Sequence, residues 1–408
     1  MTIMTGVYFT LYILSFLFDK YFIDIGFALK PFFVLNIITF TLIILKRVKI
    51  SFLPHDFAFT LFLAFYILTS MWAENSLLSL RMTLGISLLF FTYITLRYTF
   101  KYIDSELLVN KILFNNAYTI FVCISFLLYI AGMLILDGKF LEYNSNDILG
   151  VTVDRLIPRM TGTTTDPNFL ALYMTPLFFY LFAKRDKRAG EKLLFLLSIV
   201  AIALTLSRGG IISILLTLAL YKISKVLTAS KITIPRNLIA KSIFIIGTAL
   251  VLFLILMKTS IGNEIEHMLL KRFNLFSLQR ASGRFNIWRN GFLLFQENPL
   301  LGIGIYNFIY YNSTLFGDYH YMHNTHLEVL VESGIVGFSL YVIFHLMLLY
   351  SIYKLQRTRR HVHVFLIYVS MQLQMTSLSA IINPVWILFL AYTSFVIEKE
   401  LKKEKRRV

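Results

Sequence analysis

An all-α polytopic membrane protein of about twelve transmembrane helices is the fold class this chain predicts. Three observations carry that prediction. The 408 residues are 57% hydrophobic and only 15% charged, and the mean hydropathy is +0.71, which is unlike a soluble domain. Apolar runs recur along the chain, most of them long enough to cross ~30 Å of hydrocarbon. Lysine and arginine gather in alternate connections between those runs. Inside a bilayer each run must satisfy its own backbone hydrogen bonds, so the spans are helices.

In chain order the spans fall near 5–24, 31–45, 55–72, 81–97, 112–136, 168–183, 192–206, 209–226, 239–257, 326–352, 363–380 and 382–397. The run after Met1 lacks a basic leader and a small-residue cleavage site, so it reads as the first span and not as a signal peptide. Cys123 is the single cysteine and lies in an apolar run. It is expected to be a small buried side chain, and no intrachain disulfide can form.

With the N-terminus in the cytoplasm, 26 of the 39 lysines and arginines fall in inner connections or the tail, and the net charge of +17 divides into +19 inside and −2 elsewhere. That is the positive-inside pattern. The charge is therefore a topology signal and not a nucleic-acid footprint, and both termini are expected in the cytoplasm. Two outer loops stand out, at 137–167 and 258–324. The second is longer than a connector needs to be, and 263–279 and 286–298 within it group apolar residues as short interfacial helices. No internal repeat is visible. The expected organisation is a single integral membrane domain over 1–408, with the outer loop 258–324 contributing to an active site and a basic cytoplasmic tail at 398–408.

Candidate chemistry concentrates between Arg280 and Gly337. Thr325 and Glu328 have the spacing of a capping box, so a helix is expected from about His326. His323 then sits just outside a helix N-terminus, where an anion is favoured and an imidazole can move protons near neutral pH. The alternative is that His323 and His326 are interfacial residues capping a helix. Glu328 and Glu332 share one face at membrane level, where a carboxylate needs a polar cavity or a partner. Arg280, Arg284 and Arg289 surround Gly283, and Arg208 stands at a helix–helix junction in S-R-G-G. Arginine's planar donor array suits pyrophosphate oxygens, although each could instead be a snorkelling interfacial side chain. Asp166 before Pro167 reads as a helix cap, with Arg159 upstream as a ligand contact. Gly302-x-Gly304 after Pro299 reads as a turn and not a dinucleotide fingerprint. The chain has no D-x-D, H-E-x-x-H or P-loop, so neither metal, other cofactor nor ATP is expected.

These motifs resemble the O-antigen ligase / O-antigen polymerase superfamily, over about residues 159–351. The resemblance rests on R-M-T-G-T-T-T-D-P-N, S-R-G-G, G-R-F-N-I-W-R-N-G-F-L-L-F-Q-E-N-P-L-L-G-I-G, and H-N followed by nine residues and G-I-V-G. It implies a GT-C-like architecture and metal-independent, inverting glycosyl transfer on the outer face of the bacterial cytoplasmic membrane. The donor it implies is a glycan on undecaprenyl pyrophosphate, and the acceptor is another glycan or lipid A-core. A chain-length regulator would be a protein partner.

The family's base maps onto His323 and its pyrophosphate-contacting arginines onto Arg208 and Arg284. Arg159, Arg280, Arg289, Asn324, His326 and Glu332 are the further substrate-contact candidates. In the ligases a Thr-Gly pair ends the last motif; here Phe338 and Ser339 stand in its place, which favours a polymerase. Two rival readings remain. A lipid-linked sugar flippase would place its charges mid-span along a path. A monosaccharide-transferring GT-C enzyme would use a carboxylate of the first outer loop, Asp19 or Asp24.

Overall fold

A computed structural model describes residues 3–24, 28–140, 147–154, 156–228, 278–356 and 361–405. Helices run α1 (Ile3–Leu17), α2 (Pro31–Ile44), α3 (Pro54–Leu68), α4 (Ser76–Ile103), α5 (Glu106–Asn110), α6 (Tyr118–Leu136), α7 (Pro167–Ala183), α8 (Ala189–Leu204), α9 (Arg208–Thr228), α10 (Leu278–Glu297), α11 (Phe308–Phe316), α12 (Thr325–Gln356), α13 (Val362–Met375) and α14 (Pro384–Lys405). A π-helical stretch, Lys111–Ala117, makes α5 and α6 continuous. The chain forms two compact units, one of Met1–Thr217 with Ile287–Val408 and one of Leu218–Asn286.

Eleven of the twelve expected spans overlap helices, although the first, expected to reach 24, ends at Leu17; the other, 239–257, lies outside the described residues, as does most of 263–279. Ser76–Ile103, Glu106–Leu136 and Thr325–Leu355 are long and apolar enough to cross a membrane, and four shorter apolar helices accompany them. The starts follow local chemistry. Proline occupies the first turn of α2, α3 and α7, where its missing N–H costs nothing. Asp166 caps α7 as expected, accepting from the Asn168 N–H at 2.7 Å.

The bundle of the first unit carries large apolar side chains on its outside and buries polar and charged ones within an otherwise apolar interior. Ile37, Phe57, Leu61, Leu134 and Leu346 are exposed, whereas Asn36, Asp56, Thr92 and Arg97 are buried. A lipid-facing surface requires that distribution, and we conclude that this is a membrane protein. Cys123 corrects one expectation. It is exposed, on the outer stripe of α6 with Ile120, Leu127, Ile130 and Leu134. Its run is apolar because that face is turned outward, and helical spacing rather than hydropathy decides the side.

Ion pairs tie one end of the bundle. Arg97 Nη1 donates to both Asp56 oxygens at 2.7 and 2.8 Å, with Tyr93 and the Leu53 N–H also on Asp56. Lys399 reaches Asp104, and α14 continues helical to Lys405 with Glu398 and Glu400 paired to Lys402 and Lys403. The carboxyl of Asp104, the C-cap residue of α4, is partly desolvated, but Lys399 and Lys101 hold it below the usual carboxylate range. Removing one partner of a buried pair leaves an uncompensated charge. Arg97→Ala should therefore cost about 3–5 kcal/mol of stability, read as a lower melting temperature in detergent. Asp56→Leu/Arg97→Leu should melt closer to wild type than Arg97→Ala; equal melting of all three would refute the pair's role.

The other end is built from the connections, and here the sequence expectation of an all-helical chain needs amendment. Three short strands, β3 (Asp147–Ile148), β4 (Val151–Asp154) and β5 (Ile157–Met160), pair as an antiparallel meander, after an antiparallel pair β1 (Ile23–Asp24) and β2 (Ala28–Leu29) in the first connection. The meander lies against α6, where a Cβ on Gly132 would come within 2.7 Å of the Ile148 carbonyl oxygen. Alternation of Val151 and Val153 toward Leu136 gives it a small core, a period-2 signal too short to read in advance.

Candidate functional site

Helix α12 carries the centre of the site, and its start differs from the expected capping box. The helix begins at Thr325, not His326. Asn324 is the cap: its Oδ1 accepts from the His326 and Leu327 N–H groups at 3.1 and 3.2 Å. Thr325 is used elsewhere. Its hydroxyl donates to the Leu378 carbonyl at 2.6 Å and accepts from the Ala380 N–H at 2.9 Å, and its own N–H also reaches Leu378 at 3.0 Å. A tertiary partner outcompetes the local box. His323 precedes this start at φ 49°, a left-handed conformation that is uncommon outside glycine and enriched in Asn, Asp and His. It is half-buried.

The preceding loop is supported by α10, which accounts for the G-R-F-N-I-W-R-N-G motif. Trp288 Nε1 donates to the Met322 carbonyl at 3.1 Å, and a Cβ on Gly291 would sit 2.4 Å from the Met322 methyl. Asn290 holds Asn312 at 2.9 Å, and Asn312 donates to the His320 carbonyl at 3.0 Å. Asp318 and His320 form an exposed pair in the same loop that the sequence reading did not single out.

The two glycine motifs meet each other. Helix α12 is broken at Gly334, at φ 62° and ψ −169°. The break leaves backbone groups of 331–336 without helical partners, and the Pro299–Gly304 segment satisfies them. Ile303 and Gly304 N–H donate to Val331 and Glu332 carbonyls at 3.1 and 3.0 Å; Ile335 and Val336 N–H donate to Pro299 and Leu300 at 2.8 and 3.2 Å. Broken helices at membrane depth persist when protein supplies the missing partners. The Glu332 carboxylate, 1% exposed, completes the clamp by accepting from the Tyr66 hydroxyl and from the Tyr306 and Phe308 N–H groups, the latter two at 2.8 and 3.3 Å. Glu332 thus faces protein partners.

Arg208 is reached from the other side. The Thr205–Ser207 turn between α8 and α9 is fixed by Arg159, whose Nε donates to the Thr205 carbonyl at 2.9 Å while its other nitrogens reach Asp154 and Asn168 at 3.3 and 3.2 Å. Ser207 caps α9 through its hydroxyl and carbonyl. The glycines of S-R-G-G then allow close approach: a Cβ on Gly210 would meet Ala171 at 2.6 Å, and one on Gly209 would meet the Ser377 hydroxyl at 2.4 Å. Arg208 is exposed at the first position of α9.

The common element is the connection from Thr376 to Asn383. Hydropathy had extended the eleventh span to 380, but α13 stops at Met375 and α14 starts at Pro384 behind the Asn383 cap. Ala380, Ile381 and Ile382 kept the apolar window open across a loop. Ser377 contacts the start of α9, and the next residue, Leu378, contacts the start of α12. Consecutive Cα atoms are ~3.8 Å apart, so the two helix starts that bear Arg208 and His323 flank one turn of chain.

The other candidates are distributed as follows. Asn324 is committed to capping. His326 gives Nε2 to the Gln372 carbonyl at 3.2 Å and has Nδ1 3.0 Å from the Tyr341 hydroxyl. A carbonyl only accepts, so Nε2 carries the proton and Nδ1 accepts from Tyr341; both ring nitrogens are occupied by protein. Arg289 is exposed on α10. Arg284 is exposed and belongs to the second unit, and the Arg280 side chain lies outside the described residues. Asp19, the rival carboxylate, is buried and paired with Lys30 and Thr165. Among the described residues the group best placed to hold a metal is Glu106, His361 and Glu400, at the opposite, ion-paired end, where Lys403 also contacts both carboxylates.

A groove of about 730 Å³ opens beside this site, lined by the β1–β2 pair, the first turns of α4, residues 306–313, Tyr321 and Ile382. Tyr306 and Tyr321 join their hydroxyls over it at 2.7 Å. Burial, helped by Tyr321, pushes the Tyr306 hydroxyl well above the ordinary tyrosine range, so it stays a neutral donor.

Residues 193–342, which take in most of α8, the Arg208 junction, the Trp288 motif and α12 beyond Gly337, match the O-antigen ligase family. No curated protein matches the chain.

Proposed function

We propose that this chain, whose residues 193–342 match the O-antigen ligase family, moves a glycan en bloc from undecaprenyl pyrophosphate to a hydroxyl of an acceptor sugar. The observation that carries this reading is the turn Ser377–Leu378 with Arg208 on one side and the His323 start of α12 on the other. In the reaction the acceptor oxygen attacks the anomeric carbon of the donor from the face opposite the pyrophosphate. The new C–O bond forms as the carbon–phosphate oxygen bond breaks, and configuration inverts. His323 takes the hydroxyl proton, and undecaprenyl pyrophosphate leaves with the bonding electron pair. Arg208 meets the charge developing on that pyrophosphate. Its guanidinium fills the role that a divalent cation has in other transferases, so the proposed reaction runs without metal. The site faces outward from a bacterial cytoplasmic membrane with both termini inside.

Phe338 and Ser339 in place of the ligases' Thr-Gly favour a polymerase, whose acceptor is another lipid-linked glycan and whose product length a partner protein could set. Purified protein should convert a lipid-pyrophosphate-linked repeat into a ladder of longer lipid-linked chains without added metal. Transfer only when lipid A-core is supplied would make it a ligase. Movement of lipid-linked sugar across vesicles with no new glycosidic bond would overturn the enzyme reading.

A further inference from the structure

A polymerase must hold two lipid-linked glycans at once, and the candidate site so far accounts for one pyrophosphate. Resting on the polymerase reading, we propose that the groove along α4 holds the second: the polyprenyl-pyrophosphate end of the acceptor, with Arg81 as its phosphate contact. The groove runs along α4 from Arg81 to Leu88 and Leu89, which is ~12 Å of helix at 1.5 Å per residue. Its lining combines apolar Phe32, Met82, Leu88 and Leu89 with polar Arg81, Lys30, Tyr306, Tyr310 and Tyr321; Phe32, Met82 and Leu89 are buried, whereas Arg81 is exposed. An apolar lining joined to cationic side chains is complementary to an isoprenoid chain ending in phosphate.

The charges of the lining are not equivalent. Lys30 is held by Asp19, and Asp24 on the β1 side has a partner of its own. Arg81 is exposed and, among the described residues, donates to none and pairs with none. A guanidinium facing a groove without a protein partner is available to a ligand.

The position also fits. The Thr376–Asn383 connection touches α9 at Ser377, α12 at Leu378 and Ala380, and the groove at Ile382. Along that one connection the order is therefore the Arg208 side, the His323 helix start, then the Arg81 groove. Tyr321, two residues before His323, lines the groove as well. A donor phosphate and an acceptor phosphate on opposite sides of the base is the arrangement a transfer between two lipids needs.

Two variants test this. Arg81→Ala removes the phosphate contact. Gly85→Trp fills the slot from a position where an added Cβ would meet nothing within 4 Å, with a melting temperature equal to wild type as the control for folding. Native mass spectrometry of protein in nanodiscs with farnesyl pyrophosphate should count two bound molecules on wild type, and one on Arg81→Ala and Gly85→Trp. In the transfer assay both should raise the KM for the lipid-linked acceptor ~10–100-fold, the loss expected for a charged hydrogen bond, with the donor KM unchanged.

Unchanged stoichiometry in Arg81→Ala and Gly85→Trp sinks the groove as a lipid-phosphate site. A rise in the donor KM alone would reassign it to the donor and overturn the acceptor assignment. If the second molecule is lost in both variants but wild type transfers no glycan, the enzyme reading fails and the groove stands.

Discussion

Replacing His323 should lower turnover of the glycan transfer by ~10²–10⁴, the usual contribution of a positioned general base, with the donor KM nearly unchanged. The informative variant is His323→Asn. Residue 323 is held at φ 49°, and asparagine tolerates that conformation whereas alanine loses stability of order 1 kcal/mol there. His323→Asn thus preserves the Met322–Asn324 path and removes only the proton acceptor. Arg208→Ala should independently cost ~10²–10³, the loss seen when one donor to a developing oxyanion is deleted. The double variant should fall short of the product of the two, because groups acting on one transition state are not additive.

His326→Ala supplies the contrast. It strips partners from Tyr341 and Gln372, so its effect should appear as a lowered melting temperature more than as lost turnover. Wild-type turnover in His323→Asn would remove the base assignment.

How much of this was legible beforehand can be judged residue by residue. Helix positions were, because an apolar run of given length in a membrane has one solution, and Asp166-Pro167 announced its own helix start. The polar residues were found but their partners were not. Thr325 with Glu328 satisfies a local rule, yet Thr325 binds Leu378 and Ala380, more than fifty residues away. Glu332 was correctly read as needing a partner, and only the fold reveals Tyr66, Tyr306 and Phe308 in that role. Arg81 drew no notice, since a lone arginine near a helix start looks like any snorkelling side chain until a groove is found beside it. The Thr376–Asn383 connection was hidden by its own isoleucines, although Asn383-Pro384 carried the signal of a new helix.

Gly334→Ala should be the most damaging single substitution outside the chemistry. The conformation at φ 62° and ψ −169° lies in a region only glycine occupies readily, and forcing another residue there costs ~1–3 kcal/mol. A Cβ would also stand 2.3 Å from the Leu300 carbonyl oxygen, 2.4 Å from the Leu300 carbonyl carbon and 2.6 Å from the Gly302 nitrogen. All three are backbone atoms, so no side-chain rotation relieves the contact. The segment Pro299–Gly304 must move away, and its four hydrogen bonds to 331–336 go with it. Leaving such buried groups unpaired costs ~1–3 kcal/mol each. The expected result is a loss of at least ~3 kcal/mol, seen as a melting temperature lower by on the order of 5–10 °C. Turnover should fall with it, since the break sets the direction of the helix segment that follows His323. Gly190→Ala, whose added Cβ meets nothing within 4 Å, should be neutral or stabilising by ~0.5–1 kcal/mol in its helix. If Gly334→Ala melts with wild type, α12 runs unbroken and the two glycine motifs do not interlock.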